Sequence, residues 1–457
     1  MILKALYDYY ERKGDLPRKG MELKEIGFLI VIDKEGNFVR IENRMTNQKQ
    51  GSRFLVVKSI IRSGKKYEPN CFWDNYEYII GGNGESEKKN KTFIDLLYAY
   101  KKDLPNNMYV NAISNFYLRH KNIKNIIVND PLQQVLSKSK KNISFLIEGL
   151  NYIAAEDKEI VTLALSTEKE SLNKPCLVTG KIAVTSRLHS PVKLTKDTGA
   201  LVSFQKESGY DSYGKTQAYN APVSEDAEFA YTATLNHLLR FGSQNKFIIG
   251  DRTFVFWASK DDEAGKQAEE SIWDMLGFKD NDDPDKNIIN VRKAFESIYS
   301  GSIKTTLDDR FYILGLAPNS ARIAVTYWAD IPLKVFSEMI LRHFKDMEIV
   351  DTRKEKKPYF GLHSLLATVS LEGKSSNVSP NLPDAVVKSL FQGLPYPQTL
   401  FASCIRRIRA EQSISITRAA ILKAYLNRLN DNNNNKLTVM LDTSNTNQGY
   451  LCGRLFA

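Results

Sequence analysis

The sequence predicts an α+β protein with mixed-sheet N-terminal and central units and a mainly helical C-terminal part. Short apolar runs typical of strands recur up to about residue 330, between stretches with helical spacing. From Pro332 onward helical patterns dominate. A chain of 457 residues is long enough for several units with buried cores. We therefore expect boundaries that give units 1–160, 161–330 and 331–457.

The N-terminal unit is expected to open with a helix at 2–13, whose apolar residues share one face before Gly14 and Pro17 end it. The apolar runs 28–32 and 38–41 flank a turn that contains Gly36, which predicts a β-hairpin. The remaining expectations are strands at 54–57 and 76–80, a polar mobile segment at 81–91, and helices over most of 93–155.

The central unit combines predicted strands with connecting helices. We expect strands at 176–178, 253–257 and 322–328, a helix at 224–241, and a water-facing acidic segment at 259–287. The C-terminal part is expected to hold a helix that starts at Pro332, further helices near 384–392, 398–411 and 417–429, and a solvated loop at 432–435.

The charge of the chain favours a polyanionic partner. The formal net charge is +11, and residues 401–457 hold eight basic side chains against three acidic ones. Clustered cations suit a track of phosphates better than evenly spread charge does. An ordinary basic surface is the alternative interpretation.

The sequence offers little for metal or nucleotide chemistry. Its four cysteines lie far apart, and its five histidines are isolated from one another and from cysteine, so we expect no disulfide framework and no zinc or iron site. No P-loop motif is present, and no metal or organic cofactor is implied. Without a signal peptide or a run of about 18 apolar residues, the expected location is the cytoplasm.

A basic segment in the N-terminal unit has the features of a phosphate contact. Arg62, Lys65 and Lys66 surround a glycine at position 64 that permits a turn. A solvated basic turn would have the same composition, so both interpretations stay open.

Two asparagines follow this segment. The amides of Asn70 and Asn75 can donate to and accept from base edges in a groove of DNA. Between them, Phe72 and Trp73 are expected to be core anchors.

A central loop is rich in glycine, hydroxyl, aromatic and amide groups. Such a loop can bring its backbone N–H groups close to an anion and offer rings for stacking. Its side chains contact either nucleic acid or a neighbouring subunit, or they bond within the loop. The candidates are Tyr210, Ser212, Tyr213, Lys215, Gln217 and Asn220, with Arg252 on a following strand.

Three arginines near the C-terminus lie on one predicted helix. The helix has an apolar side that includes Ile405 and Ile408, and the arginines Arg406, Arg407 and Arg409 lie between and after these residues. They are candidates for guiding a displaced or target strand, because repeated cations hold single-stranded DNA. Surface solvation is the alternative.

Several motifs in a fixed order resemble the large subunit of type I-C CRISPR surveillance (Cascade) complexes. One is Pro69-Asn70-Cys71-Phe72-Trp73 after the basic segment, and another is Ser212-Tyr213-Gly214-Lys215 with Ala221-Pro222 behind it. Further matching segments occur at 1–10, 236–239, 250–253, 322–325, 418–424 and 453–457. In the family, a C-terminal helical bundle follows the point where this chain ends, so the resemblance implies a bundle that is truncated, disordered or supplied by a separate polypeptide.

The resemblance implies a non-catalytic subunit that recognises a PAM in duplex DNA, promotes strand separation, stabilises the R-loop and helps to recruit a separate helicase-nuclease. The implied PAM-side residues are Arg62, Lys65, Lys66, Asn70 and Asn75. The implied partners are crRNA, target double-stranded DNA, the repeat-handle subunit, the multi-copy backbone subunit and the recruited nuclease, with no membrane.

Two other classes stay open. A stand-alone DNA-binding defence protein would show the same charge pattern without a guide. A metal-dependent nuclease could use the aspartate pairs at 261–262, 282–283 and 308–309.

Overall fold

A computed structural model describes most of the chain. The described residues are 1–46, 50–60, 62, 67–166, 173–194, 198–205, 213–249, 251–276, 287–320, 322–350, 360–374, 377–379, 381–429 and 436–456. They form two compact units. The smaller unit contains residues 15–175 and 182–185, and the larger unit contains residues 1–14, 176–181 and 186–457. Within the described ranges, no helix combines the length and the apolar character needed to cross a membrane.

The first part of the chain contains both strands and helices. In order, its elements are α1 (Ile2–Arg12), β1 (Met21–Ile32), β2 (Phe38–Asn43), β3 (Ser52–Val57), β4 (Trp73–Asp74), α2 (Tyr76–Ile79), α3 (Glu85–Asp103), α4 (Met108–Leu118), α5 (His120–Asn129), α6 (Gln133–Lys138), β5 (Asn142–Ile147), α7 (Lys158–Ser166), β6 (Asn173–Pro175) and β7 (Ile182–Val184).

The second part begins with strands and ends with helices. Its elements are β8 (Pro191–Lys193), β9 (Thr198–Ala200), α8 (Glu225–Leu239), β10 (Lys246–Ile249), β11 (Arg252–Ala258), α9 (Glu263–Leu276), α10 (Ile288–Ser300), β12 (Arg310–Asn319), β13 (Arg322–Pro332), α11 (Leu333–Met347), α12 (Leu362–Val369), α13 (Leu382–Phe391), α14 (Gln398–Glu411), α15 (Ile416–Leu429) and α16 (Gln448–Phe456).

Strand β1 organises the smaller unit. Its first half pairs with β3 and its second half pairs with β2, both antiparallel, while β5 runs parallel on its other side. Residues 26–32 of β1 are buried without interruption, as expected for a strand covered on both faces. The predicted hairpin is confirmed. Its turn requires Gly36, which has φ +83° and whose added Cβ would lie 2.3 Å from the Ala112 carbonyl oxygen.

The larger unit is built on a six-stranded sheet in the order β10-β11-β12-β13-β9-β8. Helices α9 to α15 share one hydrophobic core with one face of this sheet. Helices α1 and α8 pack against each other, and the Thr234 hydroxyl donates to the Leu6 carbonyl oxygen at 2.9 Å. The α+β class with mixed sheets and a helical C-terminal part is confirmed. The three-part division near residues 160 and 330 stays a prediction.

Four local predictions were wrong. Residues 76–80 were expected to be a strand, but Asn75 caps a helix there. Residues 81–91 were expected to be mobile, but α3 begins at Glu85, with Glu85 and Glu87 favourably placed in its first turn. Residues 176–178 form a turn after β6, and the acidic segment contains α9, which buries Ala264, Ala268, Ile272, Met275 and Leu276 along one face.

Candidate nucleic-acid interface

A buried carboxylate, Asp74, organises the base of the basic segment. Its side chain is 2% exposed. It accepts hydrogen bonds from the backbone N–H of Asn70 at 2.9 Å, from Asn70 Nδ2 at 3.1 Å and from the backbone N–H of Asn75 at 2.8 Å. The guanidinium of Arg62 completes the set with an ion pair. A buried charge is tolerated only when it is paired and hydrogen-bonded, and these partners meet that condition.

The side chain of Asn70 joins the two ends of the basic segment. Its Oδ1 accepts from the backbone N–H of Ile60 at 3.0 Å, while its Nδ2 donates to Asp74. Asn70 is 5% exposed. Both ends of its amide therefore bond within the protein in this conformation. We name the group formed by Ile60, Arg62, Asn70 and Asp74 the Asp74 clasp.

Arg62 lies on the outer side of this clasp. Its Nε donates to the Glu68 carbonyl oxygen at 2.8 Å, and its guanidinium carbon lies 4.2 Å from the centre of the Tyr78 ring. These contacts hold the guanidinium in one position, although Arg62 as a residue is exposed. Lys65 and Lys66 lie outside the described residues.

Asn75 has a different environment from Asn70. Its Oδ1 caps α2 by accepting from the backbone N–H groups of Glu77 and Tyr78 at 3.1 and 3.4 Å. Asn75 is partly exposed, and nothing in the described parts of the chain accepts from its Nδ2. Its amide therefore keeps a donor that a ligand can use.

Helix α3 holds α2 in place beside the clasp. Asn90 Nδ2 donates to the carbonyl oxygens of Tyr78 and Ile79, and Lys89 Nζ lies 2.6 Å from Glu77 Oε2. The hydrogen bond from Lys89 lowers the pKa of the Glu77 carboxyl. The cap residue Asn75 is therefore attached to a long helix rather than to a loose turn.

The two aromatic residues of the motif are core anchors, as predicted. Phe72 and Trp73 are each 1% exposed. Phe72 has φ +58°, which is strained for a bulky side chain, and its carbonyl oxygen accepts from the Ser144 hydroxyl at 2.8 Å. Anchoring of this kind fixes the chain between Asn70 and Asn75.

The described part of the central loop is held by its own side chains. Asn220 Nδ2 donates to the carbonyl oxygens of Lys215 and Gln217 at 3.2 and 2.9 Å. Tyr213 is 99% exposed, and Lys215 is also exposed. Tyr210 and Ser212 lie outside the described residues.

Arg187 is a residue of this site that the sequence did not reveal. Its Nη1 donates to Gln217 Oε1 at 2.5 Å, and its carbonyl oxygen accepts from the backbone N–H of Ala218 at 3.2 Å. The contact joins segments about 30 residues apart, and no local pattern announces it. Arg187 is thus an exposed cation that bonds to the loop containing Lys215.

Arg252 lies in a different environment from the central loop. Its Nε lies 3.1 Å from Asp384 Oδ2 in the first turn of α13, and its Nη1 lies 3.2 Å from Asp251 Oδ2. The side chain is 15% exposed. These contacts join a strand to a helix.

The three C-terminal arginines differ from one another. Arg406 and Arg409 are exposed, and neither has an ion-pair partner within the described parts of the chain. Arg407 pairs with Glu411 one turn further along α14. Two of the three guanidinium groups can therefore reach an anion without breaking an existing bond.

Three other C-terminal cations are interior residues. Arg418, Lys423 and Arg428 are 6%, 8% and 4% exposed. Arg418 pairs with Glu411, and Lys423 Nζ donates to the Asp346 carbonyl oxygen at 2.9 Å. The interpretation of the whole C-terminal excess as a phosphate track is wrong for these three residues, because the fold buries them.

The carboxylates of Asp261 and Asp309 pair with cations, and that of Asp262 accepts from the backbone N–H of Gly265. Asp261 lies 3.2 Å from Arg12 Nε and 2.9 Å from Lys13 Nζ. Burial acts to raise the pKa of Asp309, but the bonds from Lys260 and Thr306 outweigh it and lower that pKa. The pair at 282–283 lies outside the described residues. Among the residues that the structure describes, no group of three or more His, Cys, Asp or Glu side chains could hold a metal ion.

Comparison with known proteins identifies the family. The chain matches the family model described as CRISPR-associated protein (Cas_Csd1) over residues 6–457. No protein of curated function matches it. The match covers nearly the whole chain and confirms the resemblance that the ordered motifs indicated. The chain therefore belongs to the Csd1 family of CRISPR-associated proteins.

Proposed function

We propose that this protein is the non-catalytic large subunit of a type I-C Cascade complex and that its smaller unit binds the PAM in duplex DNA. Family membership supports a role in a crRNA-guided complex. The Asp74 clasp supports the DNA-binding role, because it holds both ends of a basic segment in one geometry. In RNA-guided effectors the protein reads the short PAM and the guide reads the rest.

The residues of the basic segment and the two asparagines have different roles in PAM recognition. Lys65, Lys66 and Arg62 neutralise phosphates of the duplex. Asn75 offers its Nδ2 donor to an acceptor on a base edge. Asn70 holds the ends of the basic segment together through its bonds to Ile60 and Asp74. Its amide can contact DNA only if these two bonds break.

The larger unit contributes further contacts. The exposed side chains Tyr213, Lys215 and Arg187 contact nucleic acid or the backbone subunit that carries the crRNA. The exposed guanidinium groups of Arg406 and Arg409 guide a single strand of the opened target. The repeat-handle subunit and a recruited helicase-nuclease complete the assembly, which acts in the cytoplasm and stabilises the R-loop.

A reconstituted complex tests this function. Binding of a matched duplex with the correct PAM is compared with binding of the same duplex carrying a scrambled PAM, with and without this chain. We expect the discrimination between the two duplexes to disappear when the chain is left out. Equal discrimination without the chain would refute the proposal. Magnesium-dependent cleavage of DNA by the purified chain would contradict the non-catalytic role.

A conservative variant tests the base contact. Asn75→Ser keeps an oxygen that can cap α2 but removes the amide donor. We expect it to reduce PAM discrimination roughly tenfold, since a good base contact contributes about 1–3 kcal/mol. Asn151→Ser, at an exposed position of the same unit, is the control and should leave discrimination unchanged. A PAM preference that Asn75→Ser does not alter would remove Asn75 from the reading role.

A further inference from the structure

Three aromatic side chains form a group on one face of the six-stranded sheet. Trp257 in β11, Tyr312 in β12 and Trp328 in β13 have ring centres 5.4 to 5.9 Å apart. The residues that flank them along the strands, such as Phe256, Phe311 and Tyr327, belong to the core that the sheet shares with the helices. Because side chains alternate along a strand, the three rings lie on the opposite face of the sheet.

The three rings differ in their exposure to solvent. Trp257 is fully buried, at 0% exposure, whereas Tyr312 and Trp328 are partly exposed. The rings of Tyr312 and Trp328 are nearly parallel, with an interplanar angle of 10°. A similar pair, Phe311 and Phe336, stacks at 13° but is wholly buried in the helical core. The Tyr312–Trp328 pair thus has the geometry of a core stack but is partly exposed to solvent.

The charges beside these rings are paired. Arg310 forms an ion pair with Asp330, and its Nη2 donates to the Asp330 carbonyl oxygen at 2.8 Å. Arg12, whose charge also acts on Tyr312, lies 3.2 Å from Asp261. A phosphate would have to compete with these carboxylates for the guanidinium groups. The neutral, flat face of a nucleobase fits the surface better.

We propose that Tyr312 and Trp328 form a stacking platform for a base of a single nucleic-acid strand. This inference rests on the proposed function, which places an opened target strand near the protein. Aromatic rings on neighbouring strands of a sheet stack bases without regard to sequence, because every base has a π-face. Trp257 packs against both rings, with its ring centre 5.4 Å from that of Tyr312 and 5.9 Å from that of Trp328.

Binding of a labelled 15-nucleotide oligothymidylate to the full-length chain tests the platform. We expect Trp328→Leu to weaken binding roughly tenfold, while Trp328→Phe keeps most of the affinity because it keeps a ring. The dependence of affinity on salt should be the same in both variants, since no phosphate contact is lost. Tyr299→Leu removes an exposed tyrosine from α10 of the same unit and should change nothing.

A cross-linking experiment avoids any effect of a variant on folding. The unaltered chain is irradiated with an oligonucleotide that contains 5-bromodeoxyuridine, and the attached peptides are identified by mass spectrometry. Cross-links at Tyr312 or Trp328 support the platform. Cross-links confined to other segments, or equal affinity of Trp328→Leu and the unaltered chain, overturn it.

Two further outcomes distinguish the stacking platform from a protein-binding surface and from the proposed PAM-binding function. If Trp328→Leu impairs assembly with the other subunits but leaves oligothymidylate binding intact, the rings face a protein partner and the platform is refuted. The PAM assay with duplex DNA is scored independently. If PAM discrimination persists without this chain while oligothymidylate binding still depends on Trp328, the proposed function fails and the platform stands.

Discussion

Arg428 Nε lies 2.6 Å from Asp346 Oδ2 in the interior of the larger unit, where the two side chains are 2% and 16% exposed. The same guanidinium donates to the Leu394 carbonyl oxygen at 2.6 Å and lies 4.2 Å from the centre of the Tyr396 ring. One arginine of α15 thereby connects α11 with the segment that follows α13. Its charge serves the fold and is unavailable to nucleic acid.

Removal of this arginine should destabilise the protein without altering its electrostatic attraction for DNA. Arg428→Met leaves Asp346 as an unpaired, mostly buried charge, which typically costs about 3–5 kcal/mol of unfolding free energy. The shift of the urea unfolding midpoint measures the loss. Arg406→Met, at an exposed position, should change stability by no more than about 0.5 kcal/mol. Similar midpoints for the two variants would contradict the structural role of Arg428.

His343 should make stability depend on pH. Burial lowers its pKa to about 3, and the charge of Arg428 acts in the same direction. In the unfolded chain the pKa of histidine is about 6.5, so the unfolded state binds a proton that the folded state excludes. Stability should therefore fall as the pH decreases from about 6.5 to about 3, by up to about 1.4 kcal/mol per pH unit from this group.

His343→Gln tests that assignment. The variant also loses the 2.8 Å contact between His343 Nδ1 and the Tyr396 hydroxyl, so its absolute stability is not the relevant quantity. The slope of unfolding free energy against pH between 6 and 4 is compared instead. We expect a slope smaller by about one proton in the variant. Parallel slopes would show that another group takes up the proton.

Neutralising the clasp should release the basic segment. Asp74→Asn keeps the size of the side chain but removes the ion pair with Arg62 and turns one acceptor into a donor that faces Asn70. We expect a loss of about 2 kcal/mol in stability and a lower PAM discrimination, because hydrogen bonds to a buried charge contribute about 1.5–3 kcal/mol each. Faster amide hydrogen exchange in residues 67–75 would report the release directly.

Asn70→Ala separates support from recognition. If Asn70 only supports the clasp, the variant should lose no more PAM discrimination than Asp74→Asn, which opens the same clasp. A larger loss of discrimination in Asn70→Ala, at a similar loss of stability, would show that Asn70 reads a base. Exposed Glu35→Gln, in the turn before β2, is the control and should affect neither property.

The C-terminal arginines should differ in their effect on salt dependence. Replacing Arg406 and Arg409 with glutamine removes two exposed charges, which should reduce the slope of log affinity for single-stranded DNA against log salt by about 1.4. Arg407→Gln removes a charge that is already paired with Glu411, so it should change the slope less. An equal effect per arginine would show that the pairing does not persist in solution.

Periodicity predicted the parts of the fold that depend on local sequence. The helices at 398–411 and 417–429 were found where apolar residues recur at helical spacing. The segment 76–80 was misassigned because tyrosine and isoleucine favour strands, whereas the cap at Asn75 decided the outcome. Local propensity is a weak guide where one side chain satisfies the first backbone N–H groups of a helix.

The candidate site was only partly visible in the sequence. Arg62, Asn70 and Asn75 were singled out by residue type. The organising role of Asp74 depends on its contacts with these three residues, which only the structure shows. Arg187 was missed because its partner, Gln217, is distant in the chain. The sequence does not predict that Arg418 and Arg428 are buried. Their guanidinium groups donate to carbonyl oxygens of segments that are distant in the chain, and the charge of a residue does not reveal such partners.

The Asp74 clasp has a consequence for how target preference can change. The clasp is built from the side chains of Arg62, Asn70 and Asp74 and from the backbone N–H of Ile60. A substitution of any of these three side chains would change the stability of the unit and its binding of DNA at the same time. Natural variation in target preference is therefore expected to spare these three positions, so that a lineage can acquire a new PAM without first losing a folded protein.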